Sequence, residues 1–158
     1  MTTAIDLELL KRAIGIAARA REKGNHPFGA LLATRNGEVL LEAENTVVTE
    51  KDCTGHAETN LMRLASKQFP AEILQQCTLY TSTEPCAMCA GAIYWGGIGR
   101  VVFALSEEEL LRITGANPQN PTLNLPCREV FGRGQRLIEV EGPIHLDEAR
   151  WVHAGFWD

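Results

Sequence analysis

Four side chains in two short segments could together bind a metal ion and move protons. His56 and Glu58 stand two residues apart in the first segment, and Cys86 and Cys89 follow Pro85 in the second. Imidazole and thiolate are zinc ligands, and three protein ligands leave the fourth tetrahedral position to water, as in catalytic zinc sites. Zinc lowers the pKa of such a water from about 15.7 to roughly 7. Glu58 would then take the water's proton and deliver it to a leaving group.

A closed structural zinc site is the alternative, because Cys53 could supply a fourth ligand to the same set. Structural zinc usually stabilises domains too small to build a core, whereas 158 residues that are 45% hydrophobic can bury one unaided. Glu58 would have no task in a closed site. Pro85 suits the first turn of a helix, which would place Cys86 and Cys89 on one helical face. The pattern therefore favours an open, catalytic site.

Composition indicates a single domain over residues 1–158, without repeats, low-complexity tracts or linkers. A net charge of −5 argues against a nucleic-acid partner, which usually requires a basic face. There is neither a long apolar run nor a basic, apolar leader, so we expect no membrane span and no signal peptide. Three cysteines outside the metal set, Cys53, Cys77 and Cys127, are expected to be reduced thiols, which suggests a cytoplasmic protein.

Apolar periodicity and turn residues predict a mixed α/β domain. Helices are predicted at residues 6–23, 54–67, 85–95 and 146–156, with a single helical turn at 127–131. A further short helix is predicted to begin at a capping box formed by Ser106 and Glu109. Strands are predicted at 28–35, 38–44, 78–82, 100–105 and 136–141, with Asn36-Gly37 as a hairpin turn. The helix-containing connection between the last two strands favours parallel pairing. We therefore expect a mixed five-stranded sheet with helices on both faces, and a functional loop at 114–126.

The sequence resembles the zinc-dependent cytidine and deoxycytidylate deaminase superfamily, and most closely the bacterial and plant guanine deaminases. The pattern His-x-Glu followed by Pro-Cys-x-x-Cys is typical of zinc-dependent nucleobase deaminases. Further matches are Pro27-Phe28-Gly29-Ala30, Glu44-Asn45, the run from Leu79 to Trp95, and Arg100-Val101-Val102-Phe103. The resemblance covers nearly the whole chain. Cys53 stands where the family's Asp-Pro-Thr-Ala motif has no metal ligand, which also favours the open site.

The resemblance implies a three-layer α/β/α cytidine-deaminase-like fold, a Zn²⁺ cofactor, a homodimer and a small nucleobase substrate. The implied reaction is hydrolytic deamination of guanine to xanthine and ammonia by zinc-bound hydroxide, with Glu58 as proton shuttle. Asn45 would hydrogen-bond the base, although a residue that closes a strand can simply cap a turn. Phe28 and Trp95 would sandwich a purine. The remaining expected substrate contacts are Ala57 in the zinc motif, Glu129 as reader of the guanine edge, and Phe156 and Trp157 as a lid.

Other functions remain open at the level of the sequence. Cytosine or an aminotriazine could undergo the same hydrolytic attack. A tRNA adenosine deaminase shares the zinc signature but must bind phosphates, and residues 147–158 carry three acids and one Arg. The structural-zinc module is the non-enzymatic alternative. His26 and His145 are expected to be solvated, and Glu107 is expected to belong to a charged first helical turn.

Overall fold

The computed structural model describes residues 1–158 as one sheet with helices on both faces. Its strands are β1 (Gly29–Ala33), β2 (Val39–Glu44), β3 (Thr78–Thr83), β4 (Arg100–Leu105) and β5 (Glu139–Glu141). Its helices are α1 (Ala4–Glu22), α2 (Ala57–Gln68), α3 (Ala71–Leu74), α4 (Ala87–Gly96), α5 (Glu107–Thr114), α6 (Cys127–Gly132) and α7 (Asp147–Trp151). None of these helices combines the length and apolar character needed to cross a bilayer.

The strand order is β2–β1–β3–β4–β5, which confirms the predicted mixed five-stranded sheet. β1 pairs antiparallel with both β2 and β3, whereas β3 with β4 and β4 with β5 pair in parallel. The parallel pairing of the last two strands was predicted from the helix-containing connection between them. The predicted hairpin is present, with Gly37 at φ 89° in its turn.

Alternating side chains of the central strands build two separate cores, one on each face of the sheet. In β1, Ala30 and Leu32 face the core formed with α2, α4 and α6, whereas Leu31 and Ala33 face the core formed with α1, α5 and α7. Every residue of β1 and β3 is buried, as expected for strands covered on both faces. The three-layer α/β/α architecture follows from these two apolar faces.

A buried charged cluster fixes α1 against the sheet. Thr3 and Asp6 cap the start of α1 by reciprocal hydrogen bonds. The Asp6 carboxylate also accepts hydrogen bonds from the Tyr80 hydroxyl at 2.6 Å and from two Arg100 nitrogens at 2.8 and 2.9 Å. These bonds hold the pKa of Asp6 far below its usual range, against the opposing effect of burial. One carboxylate therefore connects α1 to both central parallel strands.

Glycine is required at position 29 because α1 crosses the sheet very closely there. A Cβ atom on Gly29 would lie 2.5 Å from both the Ala13 carbonyl oxygen and the Ala17 nitrogen. The Pro-Phe-Gly-Ala motif thus contains a packing requirement of the fold as well as a residue beside the site.

Several predicted boundaries were wrong near helix ends. Helices α2 and α4 begin at residues 57 and 87 because His56 and Cys86 have extended backbones and serve as N-caps. Cys86 is therefore not itself helical. Ser106 caps α5 by accepting from the Glu109 nitrogen, but the reciprocal bond of a capping box is absent. Strand β5 and helix α7 are shorter than predicted, and the short helix α3 was not predicted.

Candidate active site

The three predicted metal ligands converge where α2 and α4 begin. The ligand atoms of His56, Cys86 and Cys89 all lie within 4.8 Å of one another. His56 Nδ1 is 3.5 Å from Cys86 Sγ and 3.6 Å from Cys89 Sγ. A tetrahedral ion with Zn–N and Zn–S bonds of about 2.05 and 2.3 Å would separate these atoms by about 3.6 Å. Both distances from His56 Nδ1 therefore match those of a zinc site, and Cys53 is not part of the cluster.

Local electrostatics favour a thiolate at Cys86, whereas the hydrogen bond with Cys86 and burial raise the pKa of Cys89. The hydrogen bond from Cys89 and the contact with His56 lower the pKa of Cys86 to about 4, although burial opposes this shift. The hydrogen bond with Cys86 in turn raises the pKa of His56. Because Cys86 caps a helix N-terminus, the positive end of the helix dipole also stabilises its negative charge.

The turn before α2 fixes the direction of His56. The Asn60 side-chain nitrogen donates to Thr46 Oγ1 at 2.9 Å and ties α2 to the segment that follows β2. A Cβ atom on Gly55 would lie 2.8 Å from Thr46 Oγ1 and 3.1 Å from the Asp52 carbonyl oxygen. Only a residue without a side chain fits there, so the chain makes its tight turn directly before the ligand.

Glu58 lies beside the ligands but outside the set of three. The residue is buried, and its Oε2 atom is 3.6 Å from Cys89 Sγ. The Thr81 hydroxyl donates to its Oε1 atom at 2.9 Å and fixes the orientation of the carboxyl group. Burial, with the nearby Cys86 thiolate, raises the pKa of Glu58. This carboxyl group is placed to exchange protons with a water or substrate at the open position.

A cavity of about 380 Å³ opens beside Glu58 and the ligands. Its wall includes His26, Phe28, Asn45, Glu107, Leu110 and the loop segment 119–123. Asn45 follows the end of β2 and Glu107 begins the helix after β4, and both strands end at the same edge of the sheet. The predicted functional loop at 114–126 therefore contributes directly to the wall.

Asn45 and Phe28 lie in the cavity wall, as the resemblance implied for substrate contacts. Asn45 is 1% exposed, and its side-chain oxygen accepts from the Val47 nitrogen at 3.0 Å. This bond turns the oxygen toward the backbone and leaves the amide nitrogen available as a donor. Ala57 is fully buried at the start of α2, where its side chain does not line the cavity.

Trp95 and Glu129 do not line the cavity, so this chain does not bring these two expected contacts together with the metal ligands. Trp95 is 85% exposed because α4 turns Cys89 and Ile93 inward and carries residue 95 around to the opposite side. Glu129 is exposed because the buried Cys127 orients α6 and directs Glu129 to solvent. The cavity therefore has no purine sandwich between Phe28 and Trp95.

The terminal aromatic residues support the cavity wall from behind instead of lining it. Trp157 is buried, with its ring centre 5.0 Å from that of His26 and 6.2 Å from that of Phe28. Its indole nitrogen donates to His153 Nδ1 at 3.0 Å. Phe156 packs edge-on against His26 at 5.8 Å. Both aromatics contact the site through wall residues of the same chain.

Three polar residues of the site were missed from the sequence. His26 was expected to be solvated, but it is buried in the cavity wall, and burial lowers its pKa. Glu107 was expected to be an exposed helix-start residue, but it is 5% exposed and lines the cavity. Glu84 joins two helices by accepting from the Glu107 and Cys127 nitrogens at 3.0 and 2.9 Å. The buried residues 107, 110 and 114 mark one helical face, but the run of three glutamates gives no sequence signal that singles out Glu107.

A three-layer α/β/α fold with a His-Cys-Cys site and an adjacent buried glutamate defines a zinc-dependent deaminase. Residues 3–105 match the family model of the cytidine and deoxycytidylate deaminase zinc-binding region. The chain therefore belongs to this family of nucleobase and nucleoside deaminases, which are hydrolases of C–N bonds. Zinc is its cofactor, and His56, Cys86 and Cys89 are the residues that fit the ion.

The chain is similar to some deaminases over nearly its whole length and to others over about two thirds of it. The chain is 45% identical over 153 residues to a probable cytosine deaminase of Schizosaccharomyces pombe, which covers 97% of this chain and 93% of that protein. It is 44% identical over 101 residues to the guanine deaminase of Bacillus subtilis, covering 63% and 64% of the two chains. The structure of a guanine deaminase from Nitrosomonas europaea superposes with a TM-score of 0.71 over 91% of this chain and 80% of that chain, at 23% identity, which supports the fold.

Proposed function

We propose that this chain catalyses the hydrolytic deamination of a free nucleobase, with cytosine as the preferred substrate. The observation that carries this choice is the extent of the similarity to the probable cytosine deaminase of S. pombe. An alignment that covers 97% of the chain includes α5 and the 114–126 loop. These parts form or support the cavity wall, which determines the bases that can fit. The similarity to the B. subtilis guanine deaminase extends over only 101 residues.

The chain's own residues divide the reaction between proton transfer and binding. Zinc, when bound, supplies an activated water at neutral pH. Glu58 takes a proton from the attacking water, delivers it to the ring nitrogen beside the amine-bearing carbon, and assists the departure of ammonia. Asn45 donates its amide N–H to an acceptor on the base. Phe28 offers an aromatic face, and such stacking contributes about 1–3 kcal/mol per base.

Guanine is the second candidate. The support for it is the 44% identity to the B. subtilis guanine deaminase and a cavity of about 380 Å³, within the range of about 300–1,000 Å³ usual for ligand pockets. The expected sandwich by Trp95 no longer contributes to this argument, because that side chain is exposed. Guanine therefore depends on Phe28 alone for stacking.

Ammonia release from cytosine, guanine, adenine, cytidine and an aminotriazine tests the proposal. We expect the highest kcat/KM for cytosine. The Glu58→Gln variant should keep its zinc and melting temperature and lose about 10²–10⁴-fold in kcat. Glu50→Gln is the matched control, because Glu50 is an exposed glutamate. A higher kcat/KM for guanine would replace the preferred substrate, and no ammonia from any free base would reject the proposal.

We also propose a homodimer that does not bind nucleic acid. Trp95 is 85% exposed and borders a shallow groove between α2 and α4 that includes Met62 and Ala92. Covering such an apolar surface is favourable, and exposed tryptophans are enriched in protein interfaces. The net charge of −5 disfavours phosphate binding. Light scattering should give twice the chain mass, and Trp95→Glu should reduce it toward one chain. An unchanged monomer mass for the wild type would reject the dimer.

A further inference from the structure

Asn117 joins the 114–126 loop to the C-terminal segment of the chain. Its side-chain nitrogen Nδ2 donates a hydrogen bond to the Trp157 carbonyl oxygen at 2.6 Å. The oxygen Oδ1 of the same side chain accepts a hydrogen bond from the Gln119 backbone nitrogen at 2.8 Å. Residues 119–123 of this loop are part of the cavity wall. One side chain therefore connects a part of that wall to residue 157.

The two side-chain bonds of Asn117 have different consequences for the loop. The bond from the Gln119 nitrogen closes a turn within the loop, as asparagine side chains commonly do with a backbone N–H two residues on. The loop has a further internal bond, from Asn120 Nδ2 to Thr122 Oγ1 at 3.0 Å. The bond to Trp157 instead spans 40 residues of sequence. The internal bonds shape the loop, whereas the bond to Trp157 fixes where the loop lies.

Trp157 and the loop both contact His26, which lines the cavity. The buried Trp157 ring has its centre 5.0 Å from that of His26. Burial lowers the pKa of His26, and a side-chain hydrogen bond with Gln119 opposes this shift. Asn117, Gln119, His26 and Trp157 thus form a closed ring of contacts, in which Gln119 and His26 belong to the cavity wall. Breaking the bond between Asn117 and Trp157 opens this ring away from the metal ligands.

We propose that Asn117 is a positioning residue that holds the loop segment 119–123 in place against Trp157 and thereby sets the affinity for the base. The inference rests on the proposed function for the identity of the ligand. Asn117 itself does not line the cavity, and Glu58 and the metal ligands lie at the starts of α2 and α4. A shift of the loop therefore weakens binding of the base before and during the reaction alike, which raises KM and leaves kcat nearly unchanged.

Three substitutions separate the two side-chain bonds of Asn117. Asn117→Asp and Asn117→Ser keep an oxygen that can accept from the Gln119 nitrogen but lose the amide donor to Trp157, whereas Asn117→Ala loses both bonds. We expect the Asp and Ser substitutions each to raise KM for cytosine by about 3- to 10-fold, with kcat within about 2-fold of wild type. Asn124→Asp is the matched control, because it makes the same change at an exposed position of the same loop.

Amide hydrogen exchange of the zinc-loaded protein gives a readout that does not depend on turnover. In the Asp and Ser variants, segment 119–123 should exchange about 3- to 10-fold faster than in the wild type, with α2 and α4 unchanged. The melting temperature should fall by no more than about 6 °C.

If Asn117 only shaped its own turn, the Asp and Ser variants would keep wild-type KM and loop exchange, and only Asn117→Ala would be impaired. That result, or a loss confined to kcat, would overturn the inference and leave the proposed function intact. A wild type that releases no ammonia from any free base would instead reject the proposed function, and hydrogen exchange would still decide whether Asn117 holds the loop.

Discussion

Glu84 should be a main determinant of the shape of the cavity, and Glu84→Gln tests this role. The carboxylate accepts from the Glu107 nitrogen at 3.0 Å with one oxygen and from the Cys127 nitrogen at 2.9 Å with the other. A glutamine side chain has only one acceptor oxygen, so one buried N–H would face the amide NH₂ group and remain unpaired. An unsatisfied buried donor costs about 1–3 kcal/mol. At about 2–4 °C per kcal/mol for a chain of this size, the melting temperature should fall by about 2–12 °C.

Thermal unfolding of the zinc-loaded protein, together with amide hydrogen exchange, measures this effect. The amides of Glu107 and Cys127 should exchange faster in the Glu84→Gln variant than in the wild type. KM for the base should rise, because the helices that these two residues begin, α5 and α6, flank the 114–126 loop. Glu72→Gln, at an exposed glutamate, should change stability by no more than about 0.5 kcal/mol. Wild-type melting with full protection of both amides in Glu84→Gln would refute the reasoning.

Three further predictions concern pH, metal and the C-terminus. Burial lowers the pKa of His153 to about 4, whereas an unfolded histidine has a pKa of about 6.5. Between these two values the unfolded chain binds more protons than the folded one, so the free energy of unfolding should decline as pH falls from about 6.5 toward 4. His153 should account for a decline of about 3 kcal/mol in the free energy of unfolding. In denaturant titrations His153→Gln should show a smaller decline, whereas His145→Gln, at an exposed histidine, should behave as wild type. By atomic absorption, Cys53→Ser should keep one zinc per chain, whereas Cys86→Ser should lose it. Equal loss of zinc from both variants would favour the closed structural zinc site. Trp157→Ala should lower the free energy of unfolding by about 3–5 kcal/mol, because Trp157 is buried, and should also lower kcat/KM. An unchanged melting temperature would instead favour a mobile lid.

Periodicity and turn chemistry predicted the sheet well because they report which faces of the elements are buried. The continuous apolar run of β1 and the helical spacing in α1 carry this information directly in the sequence. Helix starts were less well predicted at His56 and Cys86. Both residues act as N-caps without a side-chain cap bond, because their side chains turn toward the metal site instead. Capping preferences alone do not identify such positions.

The metal ligands and Glu58 could be predicted because the chemistry itself fixes their types and spacing. The positions of the Trp95 and Glu129 side chains could not be predicted in the same way. Their direction depends on the rotation of α4 and α6, which the packing of Ile93 and Cys127 determines. The burial of Glu107 was not predicted, because the two residues after it are also glutamates and such a charged run is typical of a solvated helix start. Only the position of α5 against the cavity distinguishes the first glutamate from the next two.

The catalytic residues and much of the cavity wall come from different parts of the chain, which explains why the reaction class is easier to infer than the substrate. All three metal ligands and Glu58 belong to two helix starts within residues 56–89, inside the region that the family model matches. Much of the opposite wall comes from Glu107 and the loop at 119–123, beyond residue 105. The buried Trp157 supports Phe28 and His26 from the far end of the chain. Substitutions after residue 105 can therefore change which base fits while the proton-transfer machinery stays intact. We accordingly expect residues after position 105 to contribute to substrate selection together with Phe28 and Asn45.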